Sequence, residues 1–239
     1  MPSALFLAAT AAEIQAMQEI SANIGWMACH FSAYGTGLSN LPGFLPEGSL
    51  LILNDRTPVC GHDPQRIAEE MTHLVQTYRC SRVLLDLQRP GEAESMRIVS
   101  AVTKTLPCPV GISAPYALDP AFPVFLPPVP LHKRAEDYLR PWQGRPVWLE
   151  VSLEAAVYVV TAQGCHIRQE QPMGQYPHQD EALCCRYHTM CCRNAIEFHL
   201  HRTAADLPAF LQQAAQAECF IGLYQELAQA AAHCTAFFH

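Results

Sequence analysis

Two spacings of apolar residues alternate along the chain. Short, nearly continuous apolar runs stand at residues 26–31, 49–53 and 83–87. Such runs suit strands buried on both faces of a parallel sheet. Between them, apolar residues recur at helical spacing. The clearest case follows Asp63-Pro64, where Ile67, Met71, Leu74, Val75 and Tyr78 lie on one side and proline stands at the first helical position. Residues 5–9 read as a first strand, with Thr10 and Glu13 as the capping box of a helix that Gly25 ends. Residues 35–48 are rich in Gly, Asn and Pro and read as a loop. A helix is expected over 92–105, a strand over 108–114, a short helix over 133–139 and a strand over 145–152. A strand over 122–129 carries three prolines, which exclude a regular central ladder throughout.

Residues 153–200 break this alternation. Short antiparallel strands are expected at 156–160, 165–168, 183–188 and 195–200. Thr203 then caps a helix, with Asp206 at its third position, and a strand over 219–224 and a helix over 227–238 close the chain. Eight core strands, several followed by helices, predict a reduced (β/α)8 TIM-like barrel. It spans residues 1–239 as one domain, with a small α+β insertion at 153–202 before the last barrel unit. An open doubly wound sheet is the alternative.

Composition narrows the function classes. Half of the 239 residues are hydrophobic and 15% are charged, which excludes a disordered chain. A formal charge of −7 gives no electrostatic footprint for nucleic acid. The eleven cysteines are odd in number and form no small secreted framework, so they read mainly as reduced, buried thiols of a cytoplasmic protein. The apolar stretch 4–12 lacks a basic flank and is cut by Glu13, so a secretory leader is not expected. No uninterrupted apolar stretch is long enough for a membrane span.

Candidate chemistry collects where strands end. Residues 82–90, Arg-Val-Leu-Leu-Asp-Leu-Gln-Arg-Pro, place Asp86 and Gln88 at the carboxyl end of the central strand, where α/β proteins keep their sites. Asp55, Tyr116, Glu150 and Tyr224 hold comparable positions. Asp55 also suits a surface ion pair with Arg56, the two tyrosines suit core packing with a satisfied hydroxyl, and Glu150 suits the solvent side of its strand. Cys184-Cys185 and Cys191-Cys192, with His178, His188, His199 and His201 nearby, invite a zinc reading. Zinc sites favour Cys-x2-4-Cys spacing, whereas adjacent strand residues point to opposite faces, so neither a metal nor another cofactor is expected. The chain contains no nucleophile elbow and no phosphate-binding glycine loop.

Asp86-Leu87-Gln88-Arg89-Pro90 resembles the end of the Asp-x-Asp-x-Glu signature of family-18 glycoside hydrolases. Leu84 stands at its first Asp, Asp86 at its last Asp and Gln88 at its general-acid Glu. Ile196-Glu197-Phe198-His199-Leu200, Thr203 and Ile221-Gly222-Leu223-Tyr224 are similar to the last barrel unit of the spore-cortex-lytic branch, with Tyr224 where that branch has a sugar-flooring Trp. Together the two regions, 49–115 and 183–227, cover about half the chain. The resemblance implies a barrel acting on N-acetylglucosamine-containing glycans such as chitin and peptidoglycan. The substrate's acetamide would attack the anomeric carbon, Asp86 would orient it, and the residue at position 88 would protonate the leaving oxygen. Glutamine has no proton to release near neutral pH. The expectation is a catalytically impaired protein that binds a glycan or another small-molecule ligand, such as a bacterial cell-wall fragment, with Asp86 and Gln88 at the degenerate catalytic position and Asp55, Tyr116, Glu150 and Tyr224 as binding residues. The alternatives are an active hydrolase with another acid and a non-catalytic scaffold. Glu92 and Glu94 lie nearby but suit a solvated helix start.

Overall fold

The computed structural model describes residues 4–6, 26–33, 35–89, 93–170 and 176–221. The chain divides into two compact units, one of Leu5–Leu126 with Gly144–Leu149, the other of Met1–Ala4, Pro127–Gln143 and Glu150–His239.

The first unit is built on a parallel sheet. β1 is Ala4–Phe6, β2 is Trp26–Phe31, β3 is Leu38–Ser39 and β4 is Leu50–Asn54. β5 is Arg82–Asp86, β6 is Val110–Ser113, β7 is Val124–Leu126 and β8 is Val147–Val151. β2, β4, β5, β6, β7 and β8 pair in that order, all parallel, with Trp26 opposite Leu50, Leu50 opposite Arg82, Val83 opposite Val110, Ile112 opposite Val124 and Val124 opposite Val147. β3 adds antiparallel to β2, with His30 opposite Ser39. Leu50, Leu51, Leu53, Val83 and Leu85 are fully buried, as a sheet covered on both faces requires.

Helix α1, Pro64–Tyr78, joins β4 to β5. The Asp63 side chain accepts the Gln65 N–H at 3.1 Å, Pro64 fills the first turn, and Arg79 closes the helix in the left-handed region at φ 49°. Ile67, Ala68, Met71, Leu74 and Val75 form its buried stripe. Helix α2, Ala93–Thr105, joins β5 to β6 and buries Ile98, Val99 and Val102. The next connection holds only a 3-10 turn, Ala114–Tyr116.

The second unit holds a five-stranded antiparallel sheet: β9 is Ala155–Thr161, β10 Gly164–Glu170, β11 His178–Asp180, β12 Cys185–Cys192 and β13 Ala195–His201. Its order is β10-β9-β13-β12-β11. Alternation puts Ala156, Tyr158, Leu200 and Cys185 on one face, where they form a core with Leu131. Short helices α3, Ala135–Leu139, and α4, Leu207–Gln213, belong to this unit. Ahead of α4, Asp206 accepts from the Thr203 N–H at 2.9 Å and from its hydroxyl at 2.6 Å, the expected cap. Among the described residues, the fully buried Arg202 makes its hydrogen bonds to carbonyls rather than to a carboxylate. It donates to the carbonyls of Cys184, Val129 and Leu183 at 3.4–3.5 Å, and its guanidinium lies 4.2 Å from the centroid of Phe210. β14, Glu218–Ile221, ends the described chain.

The zinc reading of the paired cysteines meets a simple geometric obstacle. Cys184 and Cys185 are buried at one end of β12, and Cys191 and Cys192 are exposed at the other. Six strand steps separate Cys185 from Cys191, or about 20 Å. Burial pushes the Cys185 thiol up to about 12, further from the thiolate a metal requires. Among the described residues, no three His, Cys, Asp or Glu side chains are grouped to hold a metal ion. No helix among those residues is long and apolar enough to cross a membrane.

Candidate functional site

The carboxyl ends of four neighbouring parallel strands gather the polar groups of the first unit. Register places His30 opposite Asn54 and Asn54 opposite Asp86, so β2, β4 and β5 present these residues in one row. A row shares one face of the sheet. His30 donates from Nδ1 to Asn54 Oδ1 at 2.5 Å, and the Arg56 N–H donates to the same oxygen at 3.1 Å.

Beyond β5 the chain turns, and Asp55 fixes the turn. Asp55 is 4% exposed, and its carboxylate accepts the N–H of Gln88 at 3.1 Å on Oδ1 and that of Arg89 at 2.8 Å on Oδ2. The Arg89 guanidinium returns a bond to the Asp55 carbonyl at 3.2 Å. Ser113, at the end of β6, accepts the Leu87 N–H at 3.0 Å, while its own hydroxyl lies 3.1 Å from the Leu85 carbonyl and 3.4 Å from Asp86 Oδ1. The Tyr116 hydroxyl donates to the Arg89 carbonyl. These bonds satisfy a backbone that has left the ladder and hold residues 87–89 in one conformation.

Asp86 and Gln88 meet on this platform. Gln88 donates from Nε2 to Asp86 Oδ1 at 2.5 Å. Burial pushes the Asp86 carboxyl above its usual range. The Gln88 hydrogen bond opposes that shift, the nearby Asp55 charge adds to it, and the Ser113 hydroxyl opposes it. The pair joins an amide donor to a carboxyl acceptor that resists ionisation.

Of the residues read from the sequence, Asp55, Asp86, Gln88 and Tyr116 come together. Asp55 and Tyr116 spend their polar atoms on the backbone of residues 88 and 89, and the Tyr116 ring is 2% exposed. Glu150 belongs to the second unit and lines a cavity there with Ser152, Glu154 and Tyr158. Tyr224 lies outside the described residues. The sequence reading missed His30 and Ser113. Each is the last strand polar residue before a turn, the same signal that singled out Asp86.

No family model matches the chain, and no curated protein matches it. Among solved structures it is similar to the spore cortex-lytic enzyme SleL of Bacillus cereus, with a TM-score of 0.59 and 10% sequence identity, over 100% of this chain and 74% of that one. At this identity the likeness is one of fold. The class it defines is a mixed α/β protein with a largely parallel sheet, of the architecture that cortex-lytic enzyme adopts.

Proposed function

We propose that the chain is a family-18-like TIM barrel, one domain over residues 1–239 with an insertion at 153–202, that binds N-acetylglucosamine-containing glycan without hydrolysing it. The observation that carries this reading is the Gln88–Asp86 hydrogen bond at the carboxyl end of the central strand. The hydrogen bond brings together the side chains at 86 and 88, the positions to which the family resemblance assigns an acetamide-orienting Asp and a general acid. At position 88 an amide replaces the acid. Loss of a general acid lowers rates by about 10²–10⁴. The fold likeness to an enzyme named for lysis of the spore cortex supports a cell-wall glycan as ligand. The free thiols suit a cytoplasmic setting. One observation favours the scaffold reading. Asp55 and Tyr116, both candidate sugar contacts, are committed to holding the loop.

The test is mass spectrometry of the wild-type chain and of Gln88→Glu with N-acetylglucosamine oligomers and muropeptides, native spectra reading bound glycan and product spectra reading cleavage. A glutamate beside the Asp86 carboxylate would have a raised pKa, as a general acid needs. The expected result is binding without cleavage by the wild type and cleavage by the variant. Cleavage by the wild type would assign the proton to another residue. Absence of both binding and cleavage would sink the glycan reading and leave a scaffold.

A further inference from the structure

The row at the carboxyl ends of β2, β4 and β5 holds polar atoms that the loop beyond β5 does not use. The sulfur of Cys29, one residue before His30, lies 3.9 Å from that of Met71 in helix α1. Side chains alternate along a strand, so His30 projects from the sheet face turned away from α1, and Asn54 and Asp86 share that face through their register with it. All three residues are half-buried.

The backbone settles which atoms are which. An N–H can only donate, so the Asn54 atom 3.1 Å from the Arg56 N–H is the amide oxygen. His30 Nδ1 lies 2.5 Å from that same oxygen and therefore carries a proton. A neutral imidazole then keeps a bare lone pair on Nε2. Asn54 Oδ1 spends both lone pairs on these two bonds, while its Nδ2 keeps two N–H groups. Asp86 meets Gln88 and Ser113 through Oδ1 and keeps Oδ2. Among the described residues, His30 Nε2, Asn54 Nδ2 and Asp86 Oδ2 make no hydrogen bond. The row thus offers an acceptor, a donor and a carboxyl group on three adjacent strands.

We infer that His30 and Asn54 read the hydroxyl groups of a neutral sugar, Asn54 donating to one oxygen and His30 accepting the proton of a neighbouring hydroxyl. The inference rests on the glycan reading of the Asp86–Gln88 site and adds to it the pair that selects the ligand. A hydroxyl both donates and accepts, so neighbouring hydroxyls match an acceptor beside a donor. A carboxylate or phosphate would find a donor in this row only at Asn54, between an imidazole lone pair and a carboxyl group. An ammonium would face the two Asn54 N–H groups, which cannot accept from it. Asp55 and Tyr116 are less suited to this role, because their polar atoms hold residues 88 and 89.

NMR of the whole chain tests it, with the Asn54 side-chain amide and the His30 ring nitrogens assigned. The titrants are the N-acetylglucosamine tetramer and, in parallel, the matching glucose tetramer. Saturable shifts of Asn54 Nδ2 and His30 Nε2 are expected with the N-acetylglucosamine tetramer. Asn54→Asp keeps the oxygen that serves His30 and the Arg56 N–H but turns the outward donor into an acceptor. It is expected to weaken binding by about ten-fold, while thermal melts verify folding. Binding that leaves both side chains unshifted and the folded variant unweakened overturns this inference and leaves the glycan reading standing. Binding of the glucose tetramer alone, with both shifts, overturns the N-acetylglucosamine reading and sustains this one. Binding of neither tetramer overturns both. The wild-type shifts decide the matter even where the variant does not fold.

Discussion

A carboxyl group that resists ionisation destabilises the fold wherever the pH forces a charge on it. Asp86 is such a group, because burial raises its pKa and the Gln88 hydrogen bond offsets only part of that shift. A folded-state pKa above the unfolded value contributes stability that is complete below the unfolded pKa and is lost as pH rises through the folded one. Asp86→Asn removes the charge and keeps an Oδ1 acceptor for Gln88 and Ser113. The variant is expected to melt a few degrees above the wild type at pH 7, with the gain fading toward pH 4 as the wild-type carboxyl protonates. Calorimetric melts across that range check it, and a variant that melts lower at pH 7 would show that Asp86 is stabilised as a carboxylate. The central pair of this site was legible because Asp86 and Gln88 interrupt an apolar run two residues apart. Its supports were less so. Asp55 looked like the partner of Arg56, and only the fold shows that it clamps two N–H groups more than thirty residues away.

At the scale of elements, the parallel sheet demands close approach at one point. Gly111 lies in β6, and a Cβ there would run into the indole of Trp148 on β8. That ring is 4% exposed, with the Arg82 guanidinium 5.9 Å from it. Gly111→Ala therefore overpacks a ring with little freedom to move. We expect a loss of about 1–3 kcal/mol in denaturant unfolding. Gly111→Ala with Trp148→Leu should recover part of it, because the smaller side chain vacates the space. A neutral Gly111→Ala would mean that the indole relaxes freely. The same scale shows what local pattern encodes. The expected strand at 26–31 and the helix opening at Asp63-Pro64 match β2 and α1 because burial period and capping chemistry agree there. The strand expected over 122–129 contracts to Val124–Leu126, bounded by Pro123 and Pro127. The strand expected over 183–188 slides to Cys185–Cys192, because Leu183 donates to Asp180 Oδ1 and Cys184 takes φ 48°, a turn conformation that cysteine does not advertise. β3 and β11 are two and three residues long, too short for any period to reveal.

At the scale of the whole chain, nine of the ten described cysteines fall into two chemical populations, with Cys108 intermediate between them. Cys29, Cys80, Cys184, Cys185 and Cys219 are buried, whereas Cys60, Cys165, Cys191 and Cys192 are exposed. The expectation of mainly buried thiols therefore holds for only part of the set. Desolvation raises Cys29, Cys185 and Cys219 to about 12 and Cys80 to about 11, against an ordinary thiol value of 9.0. Three pKa units reduce the thiolate fraction at neutral pH by about a thousand-fold, and burial blocks access as well. Brief treatment of the native protein with a maleimide, followed by peptide mass mapping, should mark Cys60, Cys165, Cys191 and Cys192 and leave the five buried thiols unmodified until denaturant is added. The pattern bears on function through Cys185 and Cys191, which stand at opposite ends of β12. A zinc ion shared between the two pairs would protect all four of their cysteines together and release them together on chelation. Labelling of Cys191 and Cys192 alone, unchanged by a chelator, would fit an exposed strand end and a buried one. Joint protection would require the two ends of the strand to come together, which β12 as an extended strand forbids.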